Sequence, residues 1–261
     1  MSSMLDVLSI SIAFGGVKAV SDVSISVAAG AVFSIIGPNG AGKTTLFNII
    51  SGVYIPQDGS IRLNGKDVTG MRSDALAREG LSRTFQNLQV FMQMTAVENV
   101  MVGRHMHERS RTISQLFSLP GAVRENRTSR ERSRELLEFV GLGSYADRSA
   151  AAMPYGALKK LELARALATE PRMILLDEPA AGCNPAETVE VEKLVRKIAG
   201  SGVTVVLVEH DMKLVMRISD RIHVLDGGRT ICEGTASEVQ RNERVIAAYL
   251  GDHGRREAAN A

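Results

Sequence analysis

Apolar residues are spaced along the first thirty positions in a strand-like rhythm: Val7, Leu8, Ile10 and Ile12, then Val23, Ile25 and Val27, interrupted by a glycine pair and short polar turns. A two-residue period lays one face of each strand on a core, so this stretch predicts a small β-layer. The run "AVFSII" (31–36) is apolar almost throughout and reads as a buried strand leading into "GPNGAGKTT". "TLFNIISG" (45–52) continues as a helix closed by Gly52. "GSIRLNGKDV" alternates again around an Asn-Gly turn at 64–65.

From about Met94 to Met153 the chain turns helical and charge-rich without a strand-like run, which predicts an inserted helical subdomain. Beyond it, "MILLDEP" (173–179) and "VTVVLVEH" (203–210) are short apolar runs separated by a helical segment. Strands spaced by helices predict a parallel sheet covered on both faces. "RIHVLDGGRTICEG" reads as a hairpin turning at Gly227 and Gly228, with two short helices following to Leu250 and a polar tail, 252–261, expected to be disordered.

Composition narrows the class. Hydrophobic residues make up 44% and charged residues 23%, ordinary for a soluble globular chain. A net charge of +2 is too balanced to make nucleic acid the main ligand. Cys183 and Cys232 have neither metal-type spacing nor a disulfide framework, which predicts a reducing compartment. No apolar run approaches the ~18 residues of a membrane span. The start carries Asp6 and no basic residue ahead of its apolar stretch, unlike a secretory signal. These features predict a cytoplasmic chain that reaches a membrane by docking onto something that spans it.

Gly37, Pro38, Asn39, Gly40, Ala41, Gly42, Lys43 and Thr44 fit G-x-x-x-x-G-K-[ST], with a strand before and a helix after. Glycines let main-chain N–H groups converge on phosphate oxygens while the helix aims its positive end at the same point. Lys43 is expected at the β- and γ-phosphates, Thr44 on Mg²⁺, and Thr45 toward the α-phosphate. At the carboxyl end of "ILLD", Asp177 is placed to hold Mg²⁺ through its water, and Glu178 to polarise an attacking water. His210, ending the next strand, either contacts the γ-phosphate or the water, or is a partly exposed polar group.

These pieces, in this order, resemble the ATP-binding subunit of an ABC transporter over residues 4–251. The stretches "GLSRTFQNLQVF", "ENV", "DEPAAGCNP", "VEHDMKLVM", "SDRI" and "VIAAYLG" are similar to the ATPase subunits of importers for branched-chain and other hydrophobic amino acids. The resemblance implies an α/β P-loop NTPase with a mainly parallel core sheet. An antiparallel β-layer completes a RecA-like core at 4–93 and 168–251, and a helical subdomain spans 94–167. It implies ATP and Mg²⁺ as ligands, a second ATPase subunit (a homologous partner or a second copy), two integral membrane permease subunits and, indirectly, a solute-binding protein. It further implies residence on the inner face of the membrane. An ABC ATPase for another solute, or a low-turnover nucleotide-dependent regulator, are the alternatives.

The resemblance also assigns residues. Phe14 matches the aromatic that stacks on adenine, although alone it reads as core. Gln86 matches the glutamine that reaches Mg²⁺ and the attacking water. Leu88, Val90, Phe91 and Met92 are either buried filler or a socket for a helix of the membrane subunit. Asn184 stands where aspartate is usual. The arginines between Arg104 and Arg134, interleaved with glutamates, read as a solvated helical face. Pro154, Tyr155 and Gly156 stand where relatives carry Leu-Ser-Gly-Gly-Gln, the signature that closes on the partner subunit's γ-phosphate. Proline is expected to be tolerated at this helix start, with its missing N–H immaterial there, so only the serine hydroxyl is lost.

Overall fold

The computed structural model describes residues 3–107 and 120–249. Strands β1 (Ser3–Phe14) and β2 (Val17–Ala28) form an antiparallel hairpin. The chain leaves it through β3 (Val32–Ile36) and helix α1 (Lys43–Ile50), then returns as β4 (Asp58–Leu63) and β5 (Lys66–Asp67). The result is a four-stranded sheet ordered β2-β1-β4-β5. Alternation breaks within β1 at Leu8 and Ser9: Leu8 is exposed, and Ser9 takes φ 49° where the register shifts between Val7 and Ile10. This bulge inserts an extra residue and keeps Val7 and Ile10 both on the core face.

The second sheet adds β6 (Leu81–Arg83), β7 (Met173–Asp177), β8 (Thr204–Val208), β9 (Arg221–Asp226) and β10 (Arg229–Gly234) to β3. Its order is β10-β9-β3-β8-β7-β6, parallel except for the β9–β10 hairpin. Every residue of β3, β7 and β8 is buried because both faces are covered, which is why those runs lack alternation. Met173 and Leu175 face the β-layer and α1, whereas Ile174 and Leu176 face the helices on the other side. Sequence patterning gives no sign of β6: three residues are too few to display a period.

Helices α2 (Ser73–Arg78), α3 (Ala96–Arg104), α4 (Pro120–Phe139), α5 (Tyr155–Leu167), α6 (Pro185–Gly200), α7 (Met212–Ile218) and α8 (Ala236–Arg241) complete the described α-helices. Residues of α3, α4 and α5 share one apolar cluster with α6 and the outer face of the central sheet. Four arginines of α4 are paired at the surface: Arg127 with Glu131, Arg132 with Glu135, and Arg130 and Arg134 with Asp147. Arg109 and Arg111, and the 252–261 tail, lie outside the described residues. No described helix is long and apolar enough to cross a membrane.

Candidate functional site

Three parallel strands end at one rim, and each hands over a different chemistry. β3 leads into the loop 37–42 and then α1. The close approach of that loop to its neighbours selects glycine at two positions. A Cβ at Gly37 would lie 2.1 Å from the Leu225 carbonyl oxygen, and one at Gly42, where φ is 99°, would lie 2.5 Å from that of Ala19. Gly42 caps α1 without a side-chain acceptor, and no acid occupies the first turn, so the helix offers its N–H groups and positive end to an external anion. Lys43 is only 6% exposed and its Nζ donates to the carbonyls of Gly37 (2.7 Å) and Pro38 (2.9 Å), folding back over the loop.

β7 delivers Asp177 and Glu178. The carboxylate of Asp177 accepts from Arg83 Nη2 at 3.0 Å, and the other guanidinium nitrogen donates to Asn48 Oδ1 (2.7 Å) and Ser51 Oγ (2.6 Å). Arg83, on the short strand β6, is thus tied to both α1 and β7. It lies within a stretch whose wording marked the family but whose pattern gave it no role. Glu178 adopts φ 50°, a left-handed conformation costly for a non-glycine residue, and its N–H donates to the Val208 carbonyl at 2.9 Å. Glu178 Oε1 lies 2.8 Å from His210 Nε2, and Gln86 Nε2 donates to Oε2 at 3.4 Å.

A cavity of about 570 Å³ gathers most of these groups. Asn39, Gly40, Ala41, Gly42, Lys43, Thr44 and Thr45 form one wall, and Gln86, Glu178 and His210 stand across from them. Val17, Lys18 and Ala19 of β2 close a side that the sequence reading did not foresee. Beneath Glu178 and His210 lies Glu209, buried, whose oxygens accept from the N–H groups of Ala180 (2.9 Å) and His210 (3.0 Å). Burial pushes its carboxyl above the ordinary range despite those donors. No spacing argument singles it out, because only the folded backbone brings its donors together.

Other expected residues stand apart from the cavity wall. Asp177 is turned to Arg83. Phe14 is 44% exposed, packed edge-on against Tyr54 at 5.2 Å, so it is not a core residue. Leu88 and Val90 pack partly buried on the core, while Phe91 and Met92 are exposed. Pro154 is the N-cap of α5 itself, and its carbonyl accepts from Ala157 and Leu158. The Tyr155 hydroxyl donates to the Ala181 carbonyl at 3.1 Å, and the Gly156 N–H to Glu187 Oε1 at 3.2 Å. Asn184 caps α6, its Oδ1 accepting from Ala186 and Glu187, a local task that asparagine performs as well as aspartate.

The family described as ABC transporter matches residues 20–181, which include the phosphate loop, Gln86 and Glu178. The chain belongs to the ABC transporter ATPase family. A second match, described as branched-chain amino acid ATP-binding cassette transporter, covers residues 229–255 of this ABC ATPase. It is 45% identical over 250 residues to the high-affinity branched-chain amino acid transport ATP-binding protein BraF of Pseudomonas aeruginosa, covering 95% of this chain and 98% of the relative. With LivG of Escherichia coli, a protein of the same description, identity is 40% over 250 residues and the coverage is again 95% and 98%. An ATP-binding cassette of an ABC transporter in its ADP conformation superposes with a TM-score of 0.84 at 33% identity, covering 96% of this chain and 100% of the other. A dimeric cassette bound to ADP and Pi gives 0.73 at 25% identity over 89% and 99% of the two chains.

Proposed function

We propose that this ABC ATPase hydrolyses ATP to drive import of branched-chain or related hydrophobic amino acids through separate membrane subunits. The observation that carries the proposal is Glu178, held between His210 and Gln86 and facing the glycine-framed loop across one cavity. In this reading the amides of 37–45 and Lys43 grip the phosphates, and Phe14 lies against the adenine. Glu178 takes the proton of the attacking water, with His210 and Gln86 orienting the water and the γ-phosphate. The names of the relatives and the match at 229–255 support the amino-acid solute.

Mg²⁺ fits this chemistry. Among the described residues no cluster of three or more His, Cys, Asp or Glu could hold a metal alone. The oxygen donors of Thr44, Gln86 and Asp177 suit a hard cation that draws its remaining ligands from phosphate oxygens and water. When bound, it would neutralise charge on the β- and γ-oxygens. Asp177, with Oδ2 on Arg83, would offer its other carboxylate oxygen to water on the metal.

A second ATPase subunit, either a homologue or another copy, is assigned to supply its own helix start across the nucleotide, as Pro154, Tyr155 and Gly156 do in return. Exposed Phe91, Met92 and Met94 offer an apolar surface for a helix of one of two permeases at the inner membrane face. A solute-binding protein outside the membrane would deliver the amino acid. Affinity purification from solubilised membranes tests this. Recovery of two permeases and a binding protein retaining a branched-chain amino acid is the expected result, and purified protein without saturable, magnesium-dependent ATP binding would overturn it.

A further inference from the structure

The side of α5 that meets the segment 85–92 carries charge where a packed helix face calls for apolar residues. Glu162 is 5% exposed and Lys159 2%, with Arg165 partly buried beside them. Burying ionic groups is costly, and burial pushes the Glu162 carboxyl above its ordinary range against the nearby charges of Lys159 and Arg165. Yet Lys159 Nζ makes no hydrogen bond, so the carboxylate is not consumed by a salt bridge to it. Its acceptors are directed at backbone. Oε1 takes the Gln89 N–H at 3.4 Å.

Three residues before that amide sits Gln86, whose Nε2 reaches Glu178. Residues 85–89 have few other ties: Phe85, Gln86, Asn87 and Gln89 are all exposed, with the Arg83 guanidinium over the Phe85 ring and Leu88 packed on the core, whereas further along buried Asn99 holds both the N–H and the carbonyl of Phe91. One turn along α5, the Arg165 guanidinium lies 5.5 Å above the Phe91 ring and continues the same seam.

We infer that Glu162 is a positioning residue for ATP hydrolysis. By accepting from the Gln89 amide, in the loop that carries Gln86, it fixes the carboxamide opposite Glu178 and ties that loop to α5, the helix that begins at Pro154. The inference rests on the reading of Gln86 and Glu178 as hydrolytic groups.

Glu162→Gln and Glu162→Met separate this role from general packing. Both remove the charge at nearly constant volume and leave Lys159 and Arg165 in equal surroundings, but only glutamine retains an oxygen acceptor. Misplacement of a reacting group by about an ångström costs up to ~100-fold, so Glu162→Met is expected to lower kcat about tenfold or more. KM for ATP should stay within about twofold, because Lys43 and its loop are untouched. Amide exchange at residues 85–89 should accelerate roughly tenfold while that of β7 is unchanged. Glu162→Gln should recover most of both kcat and protection.

Equal kcat in the two variants overturns the inference, as does a methionine variant whose kcat loss comes with a matching rise in KM. So does wild-type protein whose Gln89 amide exchanges at the unstructured rate, an outcome that needs no variant to fold. Wild-type protein that turns over no ATP would instead sink the hydrolytic reading. Normal wild-type turnover with an indifferent methionine variant removes the anchor alone.

Discussion

Glu178 combines three properties that a residue holds together only at a cost: a left-handed backbone, a side chain 17% exposed, and contacts on both carboxylate oxygens. Strain of this kind persists where surrounding structure over-determines it, here through the Val208 carbonyl and the Glu209-capped turn beneath. Glu178→Gln keeps shape and backbone but abolishes the base. It is expected to lower turnover by about 100-fold or more while ATP still binds, so that ATP-bound dimers accumulate on a sizing column. Rapid turnover by that variant would dismiss Glu178. Lys43 acts one step earlier, on binding. Removing its ammonium by Lys43→Ala also frees the carbonyls of Gly37 and Pro38, and charge-assisted contacts are worth roughly 1.5–3 kcal/mol each. ATP affinity measured by calorimetry is expected to fall at least about tenfold, by the same arithmetic.

Elements carry the site to the extent that their ends are fastened, and α3 shows how. Thr95 caps it in a reciprocal box: its hydroxyl accepts from the Glu98 N–H at 3.3 Å, and Glu98 accepts from the Thr95 N–H at 2.8 Å. The Thr95 N–H, and then its hydroxyl, hold the Glu98 carboxyl below the ordinary range. A depressed acid stabilises the fold above its unfolded pKa and loses that contribution as pH falls through the lowered value. Thr95→Ala is therefore expected to cost about 1 kcal/mol at neutral pH, and less in acid once Glu98 is protonated, as read from urea midpoints. The elements β3, β7 and β8 and the glycine turns at 64–65 and 227–228 were visible in sequence because their signals are local; the Thr-x-x-Glu of that box is equally local but went unread. What else escaped was long-range. The three-residue strand β6 has no period of its own, Arg83 gains its role only where β6 meets β7 and α1, and the bulge at Leu8 and Ser9 is set by pairing with β2 and β4. Phe14 and Pro154 were each legible in part: one proves exposed where alone it read as core, and the other stands at the helix start as expected, as the cap itself.

At the scale of the whole molecule, Pro154 at the start of α5 does not line the cavity of its own chain, and in the proposed assembly its effect is felt in a neighbour's site. As the N-cap, Pro154 offers α5 no side-chain acceptor, and the Gly156 N–H is already engaged by Glu187. A serine here has two possible gains. Within the subunit it caps α5, worth about 0.5–2 kcal/mol, which a thermal melt of the isolated chain reports. Across a dimer its hydroxyl adds one bond to a charged oxygen, worth ~1.5–3 kcal/mol or about ten- to a hundredfold in rate. The two gains separate by assembly. Pro154→Ser is expected to raise the melting temperature of the lone subunit with little change in its turnover, and to speed hydrolysis only in the assembled transporter. In a homodimer both nucleotides benefit; in a heterodimer only the one bound by the partner does, so single-site inactivation of either Lys43 or its counterpart locates the gain. A transporter in which the serine leaves hydrolysis unchanged removes the hydroxyl from the mechanism, and confines the proline's consequence to the stability of α5.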